Sequence, residues 1–322
     1  MGLEPLCAGV HRFDKCGWLL IGGNVVLPVV KVVPVTPSTA TAAYRSVLDS
    51  WRVSGNSPKK LGIKINLCDY RMPESGATTD PVMLGALIDA IREKFTGVEI
   101  IIWENDATSV EAHSLVACLG FLPLFKKYGV SFRSLSETGW VSRQVPGGKV
   151  FHDLEIPGDL ERVDAWINFT KLKTNGITKT TGCLKNNFAF LRTKKKSVFH
   201  GDMGRVLVDI NKVIRADFNI VDGYIGMEGD GPAFGIPKKC ELLVGGDDPV
   251  AVDACCARIM GFSPNSVGHI REAARAGIGS ISYRLETEVP GFRYKNYRFR
   301  FSRTEYVLKR VLRKLTHLGA AG

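Results

Sequence analysis

A chain of 322 residues with 45% hydrophobic residues and 23% charged ones can bury a large core, which excludes an intrinsically disordered protein. The net charge of +11 is concentrated at one end: from Phe292 onward nine basic residues face one acid, Glu305, whereas the preceding 291 residues carry 34 basic against 31 acidic ones. Attraction to a polyanion therefore belongs to the tail, and a nearly balanced body argues against nucleic acid as a partner.

The apolar run Trp18–Val35 is broken by Gly22, Gly23, Asn24, Pro28 and Lys31, so it reads as two short buried strands rather than a membrane span or leader. Residues 36–60 are rich in Ser, Thr and Pro around a short helical patch, which predicts a connection from an N-terminal appendage. Leu61–Leu67 alternates as a strand. Thr79-Asp80-Pro81 then supplies a cap and a first-turn proline for a helix whose Val82, Leu84, Leu87, Ile88 and Ile91 recur at helical spacing. Val98–Trp103 is a buried strand, followed by a helix near Ser109–Leu119 and strands at Val130–Leu135 and Ala165–Phe169. A second unit has a helix at Met203–Ile214, strands at Phe218–Val221 and Glu241–Val244, and a helix at Val250–Met260 introduced by Asp247-Asp248-Pro249. This rhythm predicts an α/β fold: a mainly parallel sheet with crossover helices, two lobes around a central cleft. The division expected is 1–60 as appendage and linker, 61–290 as core and 291–322 as a basic amphipathic tail. In the tail, Arg293–Phe301 alternates as a strand, and from Thr304 apolar and basic stripes follow helical spacing.

Three stretches are candidates for chemistry. Residues 168–187 lie just past a strand end, where open α/β sheets bind ligands. There Lys171, Lys173, Lys179 and Lys185, with Thr174, Thr178, Thr180 and Thr181, offer donors for an anion, although no Walker A pattern occurs and a solvated basic loop is an equal reading. Residues 221–235 hold five glycines and the acids Asp222, Glu228 and Asp230, which suit either a divalent cation or turn capping, without a dinucleotide fingerprint. In 245–254, Asp247 or Asp248 caps a helix, while Asp253 falls inside it among apolar neighbours and needs a partner or a site. Of six histidines, His200 stands out for following the basic run 192–196, as a general base or ligand contact. No HxH, HExxH, CxxC or G-x-S-x-G occurs, so a zinc site, an iron–sulfur cluster and an elbow-type serine hydrolase are not expected; the eight cysteines read as reduced thiols of a cytoplasmic protein.

With these segments in place, the chain resembles the prokaryotic family catalogued as domain of unknown function 362. The resemblance covers Leu61 to Gly279 and rests on Ile63-Lys-Ile-Asn66 with Thr79-Asp80-Pro81, Lys171-Leu-Lys-Thr174, Leu184-Lys-Asn186, Asp222-Gly223 with Met227-Glu-Gly-Asp-Gly-Pro232, and Gly246-Asp-Asp-Pro-Val-Ala-Val-Asp253. Asn175 stands where the family's Lys-x-Lys-Thr-His segment has histidine, and the ferredoxin-like cysteine cluster of many relatives is missing. The resemblance implies a site and no particular reaction. Lys64, Asn66, Lys171, Thr174, Asn175, Thr178, Lys185, Asn186, Gly229 and Gly231 are its expected ligand-binding residues. Lys173, Glu228 and Asp253 are its expected catalytic groups, joined by His200 on the strength of its own position, and Asp222, Glu228 and Asp253 are the expected ligands of any divalent cation. The function read from this set is an enzyme acting on an anionic or phosphorylated small molecule. The alternative is a binding or scaffold protein held peripherally on an anionic membrane by residues 292–318.

Overall fold

The computed structural model describes residues 12–13, 19–21, 24–53, 56–107, 110–301 and 308. Strands β1 (Arg12–Phe13), β2 (Leu19–Ile21) and β3 (Asn24–Val25) form a small antiparallel sheet. The body is one mixed sheet built from β4 (Val29–Pro34), β5 (Lys60–Lys64), β6 (Glu99–Glu104), β7 (Ser131–Ser134), β10 (Ala165–Asn175), β11 (Lys179–Thr180), β12 (Phe218–Glu228), β13 (Ile236–Gly246) and β14 (Arg284–Thr287). A separate hairpin pairs β8 (Trp140–Gln144) with β9 (Asp153–Pro157). The main order is β14-β4-β13-β12-β10-β5-β6-β7, in which β13 opposes its neighbours and β11 folds back on β10. All other neighbouring pairs are parallel. The mainly parallel α/β architecture is thus as expected, and it is built on one continuous nine-stranded sheet.

Helices cover both faces. On one side α1 (Ala40–Asp49), α2 (Pro81–Lys94), α3 (Ala112–Cys118) and α4 (Phe121–Tyr128) bury a core that includes Tyr44, Leu84, Leu87, Ile91, Phe121, Phe169 and Phe218. On the other side lie α5 (Cys183–Asn186), α6 (Met203–Val213), α7 (Pro249–Ile259) and α8 (Gly268–Arg275). α2 begins as its sequence predicts: Asp80 accepts from the Val82 amide at 2.8 Å and Pro81 occupies the first turn, where its missing N–H is not needed. Asp248 does the same for α7, accepting from Val250 and Ala251.

Residues 36–60 are not a free connection. β4 lies between β14 and β13, and α1 packs on α2, with Trp51 stacked on Phe218 at 5.5 Å. The apolar run before it does supply short strands, and Val30, Val32 and Val33 are buried. The tail's described part also departs from expectation: residues 294–297 form a 3-10 turn instead of a strand. Phe299 is buried, its amide donating to the Met260 carbonyl at 3.1 Å, and Phe301 meets Phe262 edge-on. Alternating aromatics here wrap around the end of α7. The amphipathic pattern after Thr304 lies outside the described residues, Leu308 excepted.

Candidate functional site at the carboxyl ends of β5 and β10

The segment expected to be a polar loop after Phe169 is strand. β10 runs on to Asn175 with every residue buried, and β12 likewise continues through the glycine-rich stretch to Glu228. This extension fixes where the lysines go. Lys171 and Asp222 are opposite one another in register and form a buried ion pair at 2.7 Å; Asp222 also accepts from the Tyr224 amide. Lys64 is fully buried against Glu104, whose carboxylate also receives the amides of Leu67 and Asn105. Lys173 donates to the Ala77 carbonyl at 2.5 Å, with Cys68 Sγ at 3.6 Å. These three ammonium groups, expected to meet a ligand or carry catalysis, are engaged by the protein and shielded from solvent.

Lys185 differs. It is half-buried, no carboxylate contacts it among the described residues, and its ammonium lies 5.7 Å from the centre of the Phe188 ring. Burial, and secondarily the nearby Lys173 charge, lower its pKa to about 8. Lys196, outside the expected set, is also lowered to about 8 by burial, with Lys64 and Lys185 adding to the effect against the pull of Glu104 and Asp106; its ammonium donates to the Asp106 carbonyl.

Beside Lys185 runs a line of five asparagine side chains. Asn66 Nδ2 donates to Asn186 Oδ1 at 2.8 Å, Asn186 to Asn168 at 2.7 Å, Asn168 to Asn187 at 3.2 Å, and Asn187 to Asn211 at 2.9 Å. Asn211 ends the line on the carbonyls of Leu184 and Leu207. All amides point the same way, so the acceptor left over is Asn66 Oδ1, a buried atom without a hydrogen-bond partner. Asn175 uses its oxygen to receive the amides of Ile177 and Thr178, which leaves its buried Nδ2 without one. Thr180 and Thr181 Oγ1 are in the same condition. Thr174 and Thr178 are satisfied by the carbonyls of Gly229 and Thr180.

The expected acids do not converge. Asp253 receives the amides of Cys183 at 2.6 Å and Leu184 at 3.0 Å, capping the short α5 turn; burial pushes its pKa up to about 7 against those two bonds. A side chain at Gly182 would meet its carboxylate, since a Cβ there would lie 2.3 Å from Oδ1. Glu228 takes the Arg300 amide at 3.0 Å and stands 3.3 Å from the Lys238 ammonium. Asp222, Glu228 and Asp253 are therefore each occupied separately, and among the described residues no three His, Cys, Asp or Glu side chains assemble as a metal site. Of the expected ligand contacts, Gly231 serves packing, since a Cβ there would lie 2.1 Å from the Thr174 carbonyl oxygen, and Gly229 serves the turn, with a φ of +80° that favours glycine. His200 stands apart, on the wall of a cavity of about 500 Å³ between α6 and α8 that Thr178 also lines. The sequence reading missed Glu104, Asn168, Lys196 and His269; for the asparagines the signal was present, as Asn168 lies level with the end of β5 and Asn66, Asn186 and Asn187 lie in the segments beyond the strands.

Comparison with known proteins places the chain: it belongs to the family described as "Domain of unknown function (DUF362)", whose profile matches residues 61–258. It is similar to a "Thylakoid-associated protein" of Synechocystis, 25% identical over 257 residues that cover 76% of this chain and 77% of the relative. Among solved structures it is similar to the lactate racemase apoprotein from Thermoanaerobacterium thermosaccharolyticum, with a TM-score of 0.41 and 13% identity, covering 73% of this chain and 57% of that one.

Proposed function

We propose that this member of the DUF362 family is an enzyme that binds an anionic or phosphorylated small molecule at the carboxyl ends of β5 and β10. The observation that carries the reading is that four buried polar atoms without partners, Asn66 Oδ1, Asn175 Nδ2 and the hydroxyls of Thr180 and Thr181, belong to the segments at or just past the ends of these two strands, and Asn66 bonds to Asn186, the sequence neighbour of Lys185. Native proteins leave few such atoms, and each costs about 1–3 kcal/mol unless something satisfies it. A ligand with oxygens and hydroxyls would do so: Asn175 Nδ2 would donate, Asn66 Oδ1 would accept, and Lys185 would supply the charge. With a pKa near 8, Lys185 also exists partly as the free amine at neutral pH and can take or return a proton. Lys173, which meets a carbonyl and a thiol but no carboxylate, would act indirectly by setting the positive potential at the strand ends, whereas Lys64 and Lys171 are neutralised by Glu104 and Asp222.

The test is Lys185→Met. Removing a desolvated cation that has no carboxylate partner should leave the protein as stable as before or slightly more so, whereas capture of anionic compounds, read by native mass spectrometry of the full chain, should be lost. A variant that captures the same compounds, or that unfolds, overturns the assignment.

A second reading is peripheral attachment to an anionic membrane through residues 292–318, favoured by the name of the Synechocystis relative. Among the described residues no helix is long and apolar enough to cross a membrane. Sedimentation with anionic liposomes, comparing the full chain with one ending at Phe301, tests it: equal binding, or none by either, sets it aside.

A further inference from the structure

The cavity of about 500 Å³ between α6 and α8 is lined at its floor by His269, which is only 2% exposed and has neither ring nitrogen in a hydrogen bond. Burial, reinforced by Lys185, lowers the pKa of this ring to about 3, so it is neutral at physiological pH and keeps one N–H to give and one lone pair to receive. Leaving both unused in a buried position is costly, and the cavity beside it is where a partner fits.

The ends of two helices face the same space. At α6, Glu272 already lies against the first turn: a Cβ on Gly204 would be 2.7 Å from its Oε2. At α8 nothing plays that part. Its N-cap, Val267, offers no side-chain bond, its first turn carries no acid, and a Cβ on Gly268 would meet no atom within 4 Å. The start of α8 thus borders open space in the cavity, with its first-turn amides uncapped by a side chain and the positive end of the helix dipole behind them. Arg205 and Arg271 stand on the walls, partly offset by Asp202 at 3.3 Å and Glu272 at 3.6 Å. The volume lies in the range of small-molecule pockets and exceeds what a lone ion needs.

We propose that this cavity is a second binding site, one that takes the phosphoryl group of a small phosphomonoester on the first-turn amides of α8 and the His269 ring. It is lined by residues other than Lys185 and the asparagine line, although the Lys185 charge reaches the His269 ring. The His269 N–H donates to a phosphoryl oxygen, Arg271 closes the outer side, and the ester's organic part occupies the space toward Thr178 and His200.

Calorimetric titration of the full chain with glycerol phosphate, inorganic phosphate and sulfate tests this. The intact protein should bind glycerol phosphate; binding of inorganic phosphate as tightly would place the specificity in the free ion, still at this site. Gly268→Asp puts a carboxylate where the anion would sit, in open space and at a helix position that favours an acid, so the fold should persist with an unchanged melting temperature. Affinity should fall about tenfold or more, and His269→Ala should give a similar loss. Absence of binding to any of the three anions by the intact protein, or unchanged affinity in folded Gly268→Asp, overturns the proposal. Gly268→Asp leaves Lys185 and the strand-end residues untouched, so loss of affinity in that variant separates failure of the strand-end reading from failure of this one.

Discussion

Asp253 shows how a residue that looks catalytic in sequence can owe its place to folding. Its carboxylate ties α7 to the α5 turn by receiving two amides, and burial raises its pKa to about 7 despite them. A carboxyl whose folded pKa lies above its unfolded one binds a proton on folding, so its contribution is fully present below about pH 4 and disappears as pH rises through 7. Asp253→Asn removes that titration. The stability gap between intact protein and variant, from urea unfolding at a series of pH values, should therefore be widest near pH 4 and narrow toward pH 8. A gap constant over that range would mean that the carboxyl is not desolvated in the way its surroundings indicate. Asp248, raised to about 6 by burial, adds to the same trend in both proteins and cancels in the difference.

At the scale of elements, the lesson lies in β10 and β12. Periodicity located their first halves, Ala165–Phe169 and Phe218–Val221, because those are apolar; it stopped where lysine, threonine and glycine begin. Those residues stay in the strands since their polar groups find partners, Lys171 with Asp222 in register and Lys173 with the Ala77 carbonyl, and a one-dimensional pattern contains no such pairing. α4 was missed for a related reason: Pro123 reads as a helix breaker, yet it falls in the first turn, where it is tolerated. The starts of α2 and α7 were legible because Asp-Pro caps are local. For the proposed site, the strand ends and Lys185 were already among the expectations, while the division of lysines into paired and unpaired could not be read from the chain. If the Lys171–Asp222 pair is structural, Lys171→Met should cost about 3–5 kcal/mol by stranding the Asp222 charge. Lys171→Met with Asp222→Asn, which keeps an acceptor for the Tyr224 amide, should recover most of it in denaturant titrations. No recovery would return Lys171 to the list of ligand-binding groups.

For the molecule as a whole, the family profile begins at residue 61, but the physical domain begins earlier. β4 fills the place between β13 and β14, so its removal would leave two strands without their neighbour. α1 and the stretch just past its end bury Tyr44, Val47, Leu48 and Trp51, each at most 4% exposed. At about 1.5–3 kcal/mol for each large apolar side chain, those four alone contribute about 6–12 kcal/mol, comparable to the whole stability of about 5–15 kcal/mol typical of a domain. A chain consisting of residues 61–322 should therefore fail to fold cooperatively, whereas residues 26–322, which keep β4 and α1, should unfold in a single transition close to that of the full chain. Circular dichroism and limited proteolysis of the two truncations decide the matter: a cooperative transition in the shorter one would show that residues before 61 are an appendage after all.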